Sequence, residues 1–271
     1  MSSGGKVIVI AEIGENHLGD IGLAKRMIKE AASAGADYVK FQSYKPENFS
    51  KDDPEYGWFK RVHISDEAHF SLKEYAQMCR VKFLSSPFSL ERARFLCEGL
   101  GLKEIKIASG MMLNLSLLDY VNEHADTVFL STGMANITEI KKSLSHLNKV
   151  RKCYILHCVT QYPCKDMEAN VSAVRTLQKE FPEYEIGYSD HTIGELACLI
   201  AVALGARVIE KHFTFDKACK DGTDHILSVT PSELKSLISN ITITQQLLGD
   251  ENKVPRRSEE EIKEFVRNRF I

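Results

Sequence analysis

The stretch EIGYSDHTIGELACLIAVALGARVIEKHF, Glu185–Phe213, reads as strand, helix, strand in one pass. An apolar run closes on Ser189-Asp190-His191, and residues Ile193–Leu204 then repeat apolar side chains at helical spacing. Leu204-Gly205-Ala206-Arg207 supplies the glycine that a left-handed helix stop needs, after which a second strand ends on Glu210-Lys211-His212. Two strands separated by one helix and short connections must run parallel.

Outward from this unit the same alternation continues. Strand-like runs occupy Val7–Ile13, Tyr38–Gln42, Lys82–Ser86, Glu104–Ser109, Thr127–Ser131, Cys153–His157, Glu185–Ser189 and Arg207–His212. Helical periodicity fills Gly22–Ala34, Ser65–Cys79, Leu90–Leu100, Leu115–His124, Ile137–Leu147, Asn170–Phe181, Ile193–Leu204 and Pro231–Leu248. Eight such units in 271 residues predict an α/β chain closed into a (β/α)8 TIM barrel, with an open doubly wound sheet as the alternative. The barrel is expected over residues 1–250, and the charged stretch 251–271 is expected to be a terminal helix or linker. Residues Lys45–Ile64 read as a long irregular connection after a strand, either a lid over the site or a passive surface loop.

Apolar residues make up 44% of the chain, without the run of roughly 18 that a membrane span requires. Met1-Ser2-Ser3-Gly4-Gly5 lacks the basic and apolar parts of a secretory signal, so a cytoplasmic address is expected. The seven cysteines form no CxxC pair, which points to reduced, mostly buried thiols and no disulfides. A formal charge of −2 gives no field for nucleic acid. An anionic substrate must be held by local cations and N–H groups.

Catalytic groups of a barrel gather at the carboxyl ends of its strands. In order these ends offer Glu12 with Asn16 and His17, Lys40 with Gln42, Ser85-Ser86, Lys106 with Ser109, Ser131-Thr132, His157 with Thr160 and Tyr162, Ser189-Asp190-His191, and Glu210-Lys211-His212. Lys40 and Lys106, with the hydroxyls of Ser86, Ser109 and Ser131, suit a phosphorylated or dicarboxylate substrate. His191 and His212 end neighbouring strands, where two imidazoles can share a divalent cation and leave positions open for substrate. Spacing alone leaves that reading level with one of hydrogen-bonded rim imidazoles. Glu12 is read as substrate-facing, because burying a carboxylate needs a cation or a hydroxyl donor. His17, His63, His69, His124 and His146 are expected to be exposed, and Met111 and Met112 to be apolar rim residues.

The motifs Glu12-Ile13-Gly14-x-Asn16-His17, Lys40-Phe41-Gln42, Ser86-Pro87-Phe88, Lys106-Ile107-x-Ser109-Gly110, Leu130-Ser131-Thr132-Gly133-Met134, His157-Cys158, Tyr162-Pro163, Gly187-x-Ser189-Asp190-His191-Thr192 and Glu210-Lys211-His212-Phe213 recur in order from Ile8 to about Leu248. Together they resemble the sialic acid synthase (N-acetylneuraminate synthase, NeuB-like) family. The resemblance implies a cytoplasmic barrel that condenses phosphoenolpyruvate with an N-acyl-mannosamine-type aldose, or its phosphate, into a nine-carbon 2-keto-3-deoxy sugar acid and releases phosphate. It implies Mn²⁺ or Mg²⁺ on His191 and His212, and phosphoenolpyruvate on Lys40, Ser86, Lys106, Ser109, Ser131, Thr160 and Ser189. Glu12, Gln42, Tyr162 and Asp224 fall on or near the positions that face the sugar, and Glu12, Lys40, Lys106, His191 and His212 are the catalytic set.

Four departures stand out. Thr160 replaces a typical asparagine and Ser86 a threonine, and Met111 stands where the family carries a proton-handling acid, a role left to Glu12 or a bound water. The small antifreeze-like domain common in the family is not expected here, and the homodimer that the resemblance implies rests partly on that domain. Two other readings use the same barrel. One is a Schiff-base aldolase built on Lys106 or Lys211, and the other a catalytically impaired barrel that binds a sugar phosphate.

Overall fold

The computed structural model describes residues 5–222 and 224–270. Strands β1 (Ile8–Gly14), β2 (Tyr38–Ser43), β3 (Lys82–Pro87), β4 (Glu104–Ile107), β5 (Thr127–Ser131), β6 (Lys152–Cys158), β7 (Glu185–Asp190) and β8 (Val208–His212) are all parallel, in the order β3-β2-β1-β8-β7-β6-β5-β4. β3 lies against β4 at a seam where no ladder forms among the described residues, so the chain is a near-closed (β/α)8 TIM barrel. The expected strands all form, with ends displaced by at most two residues. Around them lie α1 (Ile21–Ala34), α2 (Tyr56–Val62), α3 (Asp66–Met78), α4 (Leu90–Arg94) running into a π turn at Phe95–Gly99, α5 (Leu115–His124), α6 (Ile137–Ser145), α7 (Ala173–Glu180), α8 (Leu196–Ala203) and α9 (Pro231–Leu248). Two short helices, α10 (Arg257–Glu260) and α11 (Lys263–Arg267), follow. Among the described residues no helix is long and apolar enough to cross a membrane.

Local chemistry sets these boundaries. Asp20 accepts a hydrogen bond from the Leu23 N–H to start α1, and Asn136 with Glu139, like Thr230 with Glu233, makes a reciprocal capping box. The segment Lys45–Ile64 is more ordered than its sequence suggests, because it contains a 3-10 turn at Pro46–Asn48 and then α2. Aromatic packing holds it: Phe49 stacks on Phe59 with centroids 4.2 Å apart, and Tyr44 meets both edge-on. A seven-residue helix with a glycine at its second position is too short for periodicity to reveal.

Strand alternation divides the interior into layers. Ile10, Tyr38, Leu84, Phe129, Tyr154, Leu156 and Val208 pack as an inner apolar cluster. Two residues further along, on the same faces, the side chains turn polar at Glu12, Lys40, Ser86, Ser131 and Glu210. The opposite faces carry residues such as Val39, Phe41, Ile107 and Leu130 into the larger core beneath the helices.

One outward rung is an exception to that apolar shell. Asp190 of β7 stands beside Lys211 of β8, with Lys211 Nζ 2.7 Å from Asp190 Oδ2 and both side chains fully buried. Asp190 also accepts from the Tyr188 hydroxyl, the Thr192 N–H and hydroxyl, and the Cys198 thiol, whereas Lys211 has only the Thr192 carbonyl besides. Removing the acid therefore strands a nearly unsolvated ammonium, and removing the lysine leaves a carboxylate with four donors. Asp190→Ala is expected to cost about 3–5 kcal/mol and Lys211→Met clearly less. Guanidinium denaturation of both variants checks this, and an equal or reversed order would refute it.

Candidate active site

A cavity of about 870 Å³ opens at the carboxyl ends of the strands, where the interior changes from apolar to polar. At its base four ionisable side chains interlock. Lys40 Nζ lies 3.3 Å from both Glu12 Oε1 and Glu210 Oε2, and Lys106 Nζ lies 3.8 Å from Glu210 Oε1. Register places them: Glu12 stands beside Lys40 on one side and His212 on the other, and Glu210 stands beside Ser189, whose hydroxyl donates to it at 2.9 Å.

Their burial makes each protonation state depend on the neighbours. Burial pushes the Glu12 carboxyl up, with Lys40 pulling against it. Burial also works on Glu210, but Lys106 and Lys40 outweigh it and hold that carboxyl low. Burial lowers Lys106 to about 8, partly offset by Glu210. Lys40 feels the same desolvation, yet Glu12 and Glu210 more than compensate and raise it. Lys106 also donates to Ser131 Oγ at 2.6 Å and to the Ile107 carbonyl at 3.0 Å.

Hydroxyls and one backbone amide complete this end. The Gly133 N–H donates to Ser109 Oγ at 3.0 Å, and a Cβ on Gly133 would come within 2.3 Å of Thr160 Oγ1, so glycine is what lets the three segments meet. Ser86 Oγ and Glu12 Oε2 are buried without a hydrogen-bond partner, an arrangement that costs stability unless a ligand satisfies it.

At the same mouth, the His191 and His212 rings lie 5.3 Å apart with their planes at 65°. His191 Nδ1 donates to the Val159 carbonyl at 2.6 Å, and although burial opposes charge on the ring, Cys158 and that carbonyl raise its pKa. Burial lowers His212 to about 4, so its ring is neutral. His212 Nδ1 is 3.3 Å from Asp224 Oδ2 but makes no hydrogen bond, and with a neutral ring that separation is no ion pair. A neutral His212 with an unpartnered buried nitrogen, beside His191 whose Nδ1 is committed to the backbone and whose Nε2 a cation can claim, is a donor set that fits a divalent cation. No cluster of three or more metal-binding side chains exists among the described residues, so such an ion would draw its other ligands from substrate or water.

The NeuB family model matches residues 27–253. The chain belongs to the NeuB family. It is 40% identical to the N,N'-diacetyllegionaminic acid synthase of Campylobacter jejuni, covering 98% of this chain and 84% of that protein. It is 33% identical to the human N-acetylneuraminate-9-phosphate synthase, over 90% of this chain and 72% of that one. The N-acetylneuraminic acid synthetase of Leptospira borgpetersenii, solved in complex with citrate, superposes with a TM-score of 0.89 at 36% identity, covering 97% and 92% of the two chains.

In this NeuB-family barrel the cavity brings together Glu12, Lys40, Gln42, Ser86, Lys106, Ser109, Ser131, Thr160, Tyr162, Ser189, His191, His212 and Asp224. Of the other strand-end residues, Asn16, His17, Ser85, Thr132, His157, Asp190 and Lys211 lie outside the cavity lining. His157 faces outward, bonded through Nε2 to the Ala169 carbonyl and stacked on Tyr188, and the inward residue of that strand end is Cys158. Asp190 and Lys211 face outward by the same alternation, which removes Lys211 as a Schiff-base nucleophile of the cavity.

His17 and His69, expected to be exposed, are buried: His17 packs near Phe41 with Nδ1 accepting from the Gly19 N–H, and His69 bonds the Ser65 carbonyl beside Phe83 and Phe95. Burial lowers both to about 4, so each is a neutral ring that the core can hold. Met112 is buried, and Met111 packs against the outer core instead of the cavity rim. Sequence reasoning gave no role to Glu210, although two-residue alternation from His212 points it inward, and passed over Glu15 and Trp58 on the cavity wall.

Lys106 sets a pH limit on anion binding. It is charged below about 8 and neutral above, so the cradle loses one positive charge as pH rises through that value, well before an ordinary lysine would titrate. The affinity of the protein for phosphoenolpyruvate is expected to bend downward near pH 8. Calorimetric titration across the pH range measures this, and Lys106→Arg should remove the bend.

Proposed function

We propose that this protein condenses phosphoenolpyruvate with an N-acyl-mannosamine-type aldose to give a nine-carbon 2-keto-3-deoxy sugar acid and inorganic phosphate. The observation that carries the reading is that an anion cradle, Lys40 and Lys106 with their hydroxyls, shares one cavity with a histidine pair able to hold a cation. The names of the relatives point the same way, to enzymes that make legionaminic and neuraminic acids.

In this reading Lys40 and Lys106 hold the phosphate and carboxylate of phosphoenolpyruvate, with Ser86, Ser109, Ser131, Thr160, Ser189 and the Gly133 region supplying donors. Gln42, Tyr162, Asp224 and Glu12 face the aldose. Mn²⁺ or Mg²⁺ held by His191 and His212 would polarise the aldehyde oxygen when bound. C3 of phosphoenolpyruvate attacks the aldehyde carbon, a C–C bond forms, and the aldehyde oxygen takes up a proton to become a hydroxyl. Water adds at C2 and gives up one proton, then the C2–O bond to phosphate breaks while the C2 hydroxyl passes its remaining proton to the departing phosphate, leaving the ketone.

Glu12 is placed for that proton traffic, because burial raises its pKa and Oε2 has no partner in the protein. It thereby substitutes for the acid absent at Met111. The two lysines stabilise the departing phosphate, and fixing both reactants in one cavity supplies the entropic part of the acceleration.

A second reading, a Schiff-base aldolase, draws on one observation: Lys106 lies in the cavity with its pKa lowered to about 8, as an amine nucleophile requires. The ion pair and two hydrogen bonds that occupy its ammonium favour the cradle role.

Purified protein supplied with Mn²⁺, phosphoenolpyruvate and a panel of aldoses is expected to release phosphate only when a suitable sugar is present, and to stop when the metal is chelated. Lys40→Met and Lys106→Met should each lower turnover about 100-fold or more. Release without sugar, or none across the panel, refutes the condensation. A covalent adduct trapped by borohydride in the presence of chelator supports the aldolase instead.

A further inference from the structure

We infer that Asn16, which does not line the cavity, is a positioning residue: it latches the connection between β8 and α9 and so sets where Asp224 stands beside the aldose. The inference rests on the condensation reading for the substrate it affects, and on bonding geometry for the latch. Residues 213–229 leave the barrel and return to it at one neck. There the Val229 N–H donates to the His212 carbonyl at 2.8 Å, and the Thr214 N–H to the Val229 carbonyl at 3.0 Å. Between these ends, residues 215–222 are exposed or half-buried and bring no buried side chain of their own. The connection therefore owes its position to whatever grips its neck and its outer edge.

Asn16 grips the neck. Its Nδ2 carries two hydrogens and donates one to the Phe213 carbonyl and one to Ser228 Oγ, each at 3.0 Å. Ser228 in turn donates its hydroxyl to the Asp224 carbonyl at 2.6 Å. This line of donors runs in one direction and ends on the backbone of the residue whose carboxylate stands 3.3 Å from His212 Nδ1. Asn16, Phe213 and Ser228 are all buried, so water cannot take over these bonds. Aspartate has the same shape as asparagine but donates nothing, and it would set a carboxylate oxygen against the Phe213 carbonyl. Alanine would leave both acceptors bare.

The outer edge is held from the neighbouring residue. Glu15 accepts from the Tyr44 hydroxyl at 2.7 Å and from the Trp58 indole N–H at 2.5 Å. Trp58 packs on Gly222 of the connection, where a Cβ would lie 2.9 Å from the ring, and Arg61 pairs with Asp221 at 3.4 Å. One turn after β1 thus reaches the connection after β8 twice, directly through Asn16 and by way of α2 through Glu15.

Trp58 is the only tryptophan of the chain, and Lys217 and Lys220 are trypsin sites within the connection, so the latch can be read without substrate. In Asn16→Ala, acrylamide quenching of Trp58 is expected to increase, and trypsin cleavage after Lys217 or Lys220 to accelerate about tenfold or more, as the loss of two buried hydrogen bonds implies. In turnover with Mn²⁺, KM for N-acetylmannosamine should rise about tenfold while KM for phosphoenolpyruvate stays within about twofold, a split that general loosening of the fold would not give. Ser228→Ala breaks the second leg and should move every readout in the same direction, and the double variant should behave as Asn16→Ala does. Ser228→Ala also carries the test should Asn16→Ala fail to fold. Wild-type quenching and cleavage in the variants overturn the inference, and so does an equal rise in both KM values. If even the wild type releases no phosphate, the condensation reading falls, and quenching and cleavage still decide the latch.

Discussion

Four ionisable side chains packed into the mouth of a barrel are the constraint on which the rest of this structure depends. In a medium that solvates charge poorly, neither Lys40 nor Lys106 can be held without a carboxylate, and neither Glu12 nor Glu210 without a lysine. Strand register makes the arrangement possible, because each residue arrives from a different strand with its side chain turned into the cavity. The apolar cluster of Tyr38, Phe129, Tyr154 and their neighbours sets where water and ligand can reach. What results is a set of charges whose mutual contacts a substrate can exchange for its own.

The His191 and His212 pair depends on a second buried charge interaction that lies outside the cavity. Asp190 and Lys211 each precede a histidine by one residue, and alternation turns them to the opposite face. Their ion pair fixes the relative slide of β7 and β8 at the rung from which both imidazoles emerge. The Ser-Asp-His and Glu-Lys-His triplets thus each serve two faces of the sheet, one structural and one chemical.

Most of the fold was legible because every strand contrasts sharply with its flanks: β-branched runs ending on small or polar residues, separated by helical periodicity. The candidate site was legible for the same reason, since strand ends are easily found and a barrel makes them converge. Misreadings arose where a triplet was taken whole. His157, Asp190 and Lys211 stand at strand ends yet face away, and two-residue alternation counted from Cys158 or His212 separates them from the inward residues. His17 and His69 were misjudged because a neutral imidazole with one backbone partner is tolerated in a core, and only tertiary packing shows which imidazoles have one. Glu15 and Trp58 were out of reach, because their meeting joins two connections that periodicity does not describe.

The seam between β3 and β4 bears on how such a mouth accommodates two reactants. Seven ladders tie the staves together, while across this gap the two strands lie side by side with no ladder among the described residues. A hoop cut at one point opens far more easily than a continuous one, since spreading it disturbs packing and leaves every backbone hydrogen bond intact. Ser86 ends one bank of the gap and Lys106 lies on the other. The backbone bonding of the barrel is therefore weakest beside the anion cradle, and continuous at β7 and β8, from which the imidazoles emerge.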